Sequence, residues 1–263
     1  MFEQIKTIVD KEWAEVFKNR MVLLTVALMP LLFTALPIAF LLIMKGEGGT
    51  GESADMPAAF AMACSGNMNM QDCMMVYILN EFLLLYMMMP LMIPITIAAY
   101  SIVGEKTTRS LEPLLATPVT TEELLAGKGL AAVIPAIGAT WLCFGIFAVA
   151  LQLIGISPAV VGYAMGPIWL LAIFVAGPLM AVLAVNVAVM VSSRARDPRA
   201  AEQTAAVVIV PVMLLIFSVL AGFIILSVKM MLVTIAILVV LDIGLIYLGA
   251  KLFQREVILT RWR

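Results

Sequence analysis

The sequence predicts an all-α integral membrane protein: six transmembrane helices, N-in/C-in, an amphipathic N-terminal helix, and cytoplasmic coupling helices between spans 2 and 3. Three observations predict it. The 263 residues are 63% hydrophobic and only 13% charged, about half the charge content of a soluble domain, and the mean hydropathy is +1.10. The apolar residues come in blocks long enough to cross hydrocarbon as a helix, about twenty residues each. Lys and Arg gather on one side of those blocks.

The first twenty residues, MFEQIKTIVDKEWAEVFKNR, carry the acids Glu3, Asp10, Glu12 and Glu15. They precede an apolar run too long for a cleavable h-region, so they do not read as a signal peptide. Phe2, Ile5, Val9, Trp13 and Val16 step by three or four, which gives one apolar helical face. With Trp13 and Phe17 as anchors, residues 1–20 read as a helix lying on the inner membrane surface. The other reading packs that face on neighbouring spans. Both place the helix in the cytoplasm.

Six apolar blocks follow: 21–44, 76–103, 129–154, 165–191, 205–227 and 230–250. A backbone in lipid must satisfy its own polar groups, so each block is helical. Ten-residue alternating strands are absent, which excludes a barrel. Pro30 and Pro37 are expected to distort span 1, and Pro90 and Pro94 span 2. The outer loop 45–75 opens with KGEGGTGES, a flexible composition. The outer connections ISPAVVGYAMGP and LSVK are short. The inner loop SSRARDPRAAEQ is short and basic, with a turn at Asp197-Pro198. The chain reads as a single membrane domain, 1–263, with no internal repeat.

Charge sets the orientation. With the N-terminus inside, the inner segments hold Lys6, Lys11, Lys18, Arg20, Lys106, Arg109, Lys128, Arg194, Arg196, Arg199, Lys251, Arg255, Arg261 and Arg263. That leaves only Lys45 and Lys229 outside, of 16 basic residues. The positive-inside rule favours this arrangement.

Ionisable side chains within spans are costly in lipid and mark candidate sites. Asp242 sits near the middle of span 6, where it reads either as part of a cation or proton path or as a hydrogen-bond partner between helices. Glu81 lies near the outer end of span 2, in reach of water. Asn186 lies in span 4. In the outer loop, Cys64 and Cys73 face an oxidising compartment, where a disulfide is expected. A second reading joins Cys64, Met68, Met70 and Cys73 as soft ligands for Cu(I). Cys143 reads as an inert buried thiol. The chain has no histidine, which excludes His-based catalysis or ligation, and no residue arrangement points to an intramembrane enzyme.

The longest polar connection is 104–128, within VGEKTTRSLEPLLATPVTTEELLAGK. Glu105 and Arg109 stand at i,i+4, a pairing that supports a solvated helix, and Glu112 follows. Leu111, Leu114 and Leu115 give that helix an apolar edge. Pro118 ends it, because Thr117 before it is pushed out of the helical region. Thr120 and Glu123 form a capping-box pattern that restarts a short helix, TEELLAGK. A helix, a break and a second helix, with mixed charged and apolar faces, point to docking on a soluble protein.

This segment resembles the cytoplasmic coupling region of ABC-2 type permeases, the membrane subunits of bacterial and archaeal ABC exporters. The matching residues are Glu105, Arg109, Glu112, Leu115, Thr117, Pro118, Gly127 and Lys128. KEWAEVFKNR, SSRARDPRAAEQ and LFQREVILTRW match in order, so the resemblance covers nearly the whole chain. Within the family it is similar to the sodium-efflux-like branch, whose members often carry a larger insertion after span 1.

The resemblance implies a non-catalytic permease subunit in the cytoplasmic membrane of a bacterium or archaeon. It implies a homodimer bound to two separate ABC ATPase subunits, which hold ATP and Mg2+. Glu105, Arg109, Leu111, Glu112, Leu115, Thr117, Pro118 and Glu123 would then form the ATPase-coupling surface. The chain has no G-x-x-x-x-G-K-[ST] of its own, since Gly127-Lys128 lacks the upstream glycine and the following Ser or Thr. Two other classes stay open: an ion-coupled secondary transporter using Asp242 and Glu81, and a non-transporting membrane enzyme or immunity/resistance protein.

Overall fold

Apolar segments of this length satisfy their backbone by coiling. In a computed structural model, the chain forms α-helices, with no strand among the described residues. Those residues are 2–18, 20–46, 68–107, 120–192, 195, 197–224 and 226–252. In order, the helices are α1 (Phe2–Lys18), α2 (Arg20–Gly46), α3 (Met70–Tyr86), α4 (Met89–Thr107) and α5 (Thr121–Ile154). Next come α6 (Pro158–Ala164), α7 (Pro167–Leu171), a π-helical turn (Ala172–Ala176) and α8 (Gly177–Ser192). The last three are α9 (Pro198–Ala205), α10 (Ile209–Leu220) and α11 (Val228–Leu252).

Six stretches are long and apolar enough to cross a membrane, as the composition predicts: Val22–Gly46, Met70–Ser101, Glu123–Ile154, Pro158–Ser192, Pro198–Val219 and Val228–Gly249. An even number of crossings puts Phe2 and Leu252 on one side. Spans 2 and 4 are the most buried, and α4 packs on α8 more extensively than any other pair. The buried alanines Ala181, Ala184 and Ala188 keep α8 slim. Spans 1, 5 and 6 are peripheral and leave many leucines uncovered.

Several boundaries differ from the sequence reading. TEELLAGK is no separate helix but the first two turns of α5, continuous with span 3. Gly127 within it and Gly129 just after it each cost about 1 kcal/mol in a helix, too little to break one anchored at both ends. ISPAVVGYAMGP is mostly helical: Ser157 caps α6, with Pro158 in its first turn, a favoured start. Asp197-Pro198 likewise starts a helix, the Asp197 carboxylate accepting from the Ala200 N–H at 3.1 Å.

Prolines act unequally. Span 2 breaks at Met87–Met88, just ahead of Pro90, while α4 runs on through Pro94 and α2 through Pro30 and Pro37. At the outer end of span 3, the Lys45 ammonium donates to the carbonyls of Ile154 and Gly155. Gly155 is the left-handed C-cap, with φ 67°. A cation there meets the orphan carbonyls and the negative end of the helix dipole, which gives the lone basic residue after span 1 a structural role. Cys73, in the first turn of α3, is disulfide-bonded; Cys64 lies outside the described residues. Cys143 is free and buried.

Candidate functional site

The two roots of the 104–128 segment are Ser101, near the inner end of span 2, and Lys128, at the start of span 3. A third residue, Glu12 of α1, joins them. Lys128 Nζ lies 2.7 Å from Glu12 Oε1 and 2.8 Å from Ser101 Oγ, while Ser101 Oγ donates to Glu12 Oε2 at 2.5 Å. Glu12 is 2% exposed, Lys128 5% and Ser101 7%. A charge pair this deep is tolerated only when both partners are hydrogen-bonded, and here the Ser101 hydroxyl bonds to both.

α1 is seated so that this contact can form. Val9, Glu12 and Val16 share one buried stripe at helical spacing. Where α1 crosses α5, a Cβ on Gly127 would lie 2.7 Å from the Ile8 side chain; only glycine permits that approach. One turn on, Pro135 has no N–H to offer the Ala131 carbonyl four residues before it. The Trp13 indole supplies the missing donor at 3.0 Å. Trp13→Phe is therefore expected to leave that carbonyl orphaned and to destabilise the protein by about 1–3 kcal/mol. Thermal unfolding followed by thiol-reactive dye at Cys143 will measure it, and an unchanged midpoint would count against this pairing.

A further contact holds span 2 from the other inner connection. Thr96 Oγ1 donates to Glu202 Oε1 of α9 at 2.6 Å, and Ala201 packs into a small apolar cluster with Ala99 and Val103. The inner half of span 2 is thus fastened to α1, α5 and α9.

Farther along, spans 2, 3 and 4 share a layer of irregular backbone. The span 2 break precedes Pro90, and a Cβ on Gly177 of span 4 would lie 3.8 Å from the Pro90 ring. Gly177 closes the π turn by donating to the Ala172 carbonyl, and Pro178 has no N–H. The Ile173 carbonyl therefore loses both backbone donors, and the Trp141 indole of span 3 replaces them at 3.2 Å. Beside it, the Tyr86 hydroxyl donates to the Thr140 carbonyl at 3.2 Å. Neighbouring residues of span 3 thus bridge the break in span 2 and the π turn in span 4.

The expected coupling residues are only partly placed. Glu105 lies in the last turns of α4. Arg109, Leu111, Glu112, Leu115, Thr117 and Pro118 lie outside the described residues. Glu123 closes the capping box read from the sequence, accepting from the Thr120 N–H at 2.9 Å while its own N–H donates to Thr120 Oγ1 at 3.2 Å. Phe17 is exposed, and Trp13 is turned into the α1–α5 contact. Asn186 Nδ2 donates to the Val182 carbonyl of its own helix at 2.9 Å. One carboxylate oxygen of Glu81 and both of Asp242 are buried with no hydrogen-bond partner among the described residues. Met68 is half-buried and Met70 exposed. With Cys73 disulfide-bonded, a Cu(I) set including it would first need that bond reduced.

Sequence reasoning missed Glu12, Ser101 and Glu202, and it took Lys128 only as the end of a motif. The overlooked signal was Glu12 itself, an acid three residues after Val9 and four before Val16, in the middle of the apolar stripe.

The family model described as ABC-2 family transporter protein matches residues 6–249, from within α1 to near the end of α11. No curated protein matches the sequence. The match takes in all six spans, both roots of the 104–128 segment and the Glu12 contact that joins them; the chain belongs to the ABC-2 family of transporter proteins and is a multi-pass membrane permease component of an ABC transporter.

Proposed function

We propose that this chain is the permease of an exporter in the cytoplasmic membrane of a bacterium or archaeon. It works as a homodimer driven by two separate ATPase subunits that bind ATP and Mg2+ and dock on the 105–123 segment. The observation that carries the reading is the buried Glu12–Ser101–Lys128 contact. It ties both roots of that segment, and α1, into one body. Helices α4 and α5 run out of the membrane without interruption to Thr107 and from Thr121. Force applied at the segment's tip therefore reaches spans 2 and 3 along stiff helices.

Motion then concentrates where the backbone is already irregular. α4, of 19 residues, is a lever about 28 Å long at 1.5 Å per residue. It pivots at Met87–Met88, against the π turn of span 4. The uncovered apolar faces of spans 1, 5 and 6 leave room for a second copy. The basic residues on the α1 side orient the segment toward the cytoplasm.

Charge reversal at Glu105 and Glu112 together is expected to abolish binding of the partner ATPase and the transport it drives. Co-purification and transport in reconstituted vesicles will test it; intact binding and coupled transport would refute the docking assignment. A carrier that needs no ATPase is favoured by one observation, the buried carboxylate of Asp242. That reading requires Asp242→Asn to abolish transport while deletion of residues 105–123 does not.

A further inference from the structure

α11 is the least covered span, yet it buries one carboxylate: Asp242 is 5% exposed. Both its oxygens are buried without a hydrogen-bond partner among the described residues. α11 packs on α8 and, less extensively, on the π turn and α7. None of these elements carries an ionisable residue, and neither does α10. The polar residues of α8 are Asn186 and Ser192. On α11 itself, Lys229 and Lys251 lie about 20 and 14 Å away along the axis, and Tyr247, about 140° round the helix at 100° per residue, is a phenol that lines one of the cavities beside this position. An ionised carboxylate here would cost several kcal/mol with no cation to offset it.

Two cavities flank this position. One, of about 470 Å³, is lined by Leu238, Leu241 and Leu245 of α11 together with Leu183 and Val187 of α8. The other, of about 810 Å³, is lined by Ile243, Ile246 and Gly249 together with Val185 and Asn186. At about 100° per residue, 238 and 245 lie to one side of Asp242 and 243 and 246 to the other, with Gly249 almost in line with it two turns on. α8 and α11 line both cavities, so we take their seam at Asp242 as the wall between the two.

We propose that Asp242 is a proton-binding site whose neutral form keeps the seam between spans 4 and 6 closed, and whose loss of the proton opens that wall to water. The acid's O–H bond breaks and the proton passes to a water molecule, leaving carboxylate and hydronium. The charged side chain then draws in solvent through the flanking cavities, because no described residue of the elements packed on it is charged. The site takes a proton rather than a metal cation: a hard cation needs about six oxygen ligands, and α7, α8, α10 and the π turn supply no second carboxylate.

The test uses the full chain in lipid nanodiscs without any ATPase, so its outcome is independent of the docking reading. Infrared difference spectra across a pH titration will follow the carbonyl stretch of protonated carboxylic acids. In parallel, a Leu245→Cys reporter in a Cys143→Ala background will be labelled with a water-soluble maleimide. A protonated-acid band at neutral pH that is absent from Asp242→Asn is expected. Labelling relative to Asp242→Asn at the same pH should rise roughly tenfold per pH unit up to the titration midpoint, following the deprotonated fraction. If Asp242→Asn does not fold, Asp242→Leu serves as the neutral reference. Absence of the band at neutral pH would overturn the proposal, as would equal labelling in both proteins. So would a midpoint that moves when sodium replaces choline, which would make the ligand a metal cation.

Discussion

Replacing Glu12 by alanine is expected to destabilise the protein by about 3–5 kcal/mol, the cost of breaking a buried ion pair by removing one of its partners. The Lys128 ammonium is 5% exposed and lies 2.7 Å from the Glu12 carboxylate. Glu12→Met combined with Lys128→Met should cost clearly less than Glu12→Ala alone, because well-packed apolar side chains replace a buried pair at little cost. A double-mutant cycle on thermal unfolding, read at the buried Cys143 thiol, separates the two terms. Additive single-mutant effects would show that the residues do not act as a pair. The same variants carry a functional readout. With the joint loosened, ATP hydrolysis by the partner should continue while transport per ATP falls. A structural role alone would reduce both in proportion to folded protein.

Pro90→Ala is expected to act in the opposite direction on stability. Restoring the N–H at position 90 lets it reach the Tyr86 carbonyl and lets α3 continue toward α4, a gain of up to about 3 kcal/mol. Transport should slow, because the lever's pivot becomes ordinary helix. A raised unfolding midpoint with unchanged transport would remove the break from the mechanism. A lowered midpoint would mean that the Pro90 ring, which packs near Gly177, contributes more as packing than it costs as a helix breaker.

Much of the fold was legible because the bilayer restricts the answer. A block of about twenty apolar residues in hydrocarbon has no stable alternative to helix, so six spans followed from composition. Local chemistry was legible where it is self-contained. The Thr120–Glu123 capping box needs only residues three apart, and it formed. Boundaries were less so, since TEELLAGK and ISPAVVGYAMGP contain turn-forming residues whose effect neighbouring helices override. The effect of Pro90 could be anticipated as distortion, but not that Pro30, Pro37 and Pro94 would leave their helices unbroken.

By itself the sequence determined the all-α membrane class, six crossings, the side that carries the basic residues, and a polar segment between spans 2 and 3 that resembles the coupling region of ABC-2 permeases. Only the tertiary structure decided what holds that segment. Glu12 and Lys128 are separated by 116 positions, so no local period marks them as partners. The same holds for Trp13 with Ala131 and Trp141 with Ile173, where an indole supplies the donor that a proline removed. The physical reason is common to all of them. A helix's period tells which residues share a face, but what that face meets depends on how the helices pack. The Ala131 and Ile173 carbonyls find their partners, and the Asp242 carboxylate lacks one among the described residues, only across those packed seams.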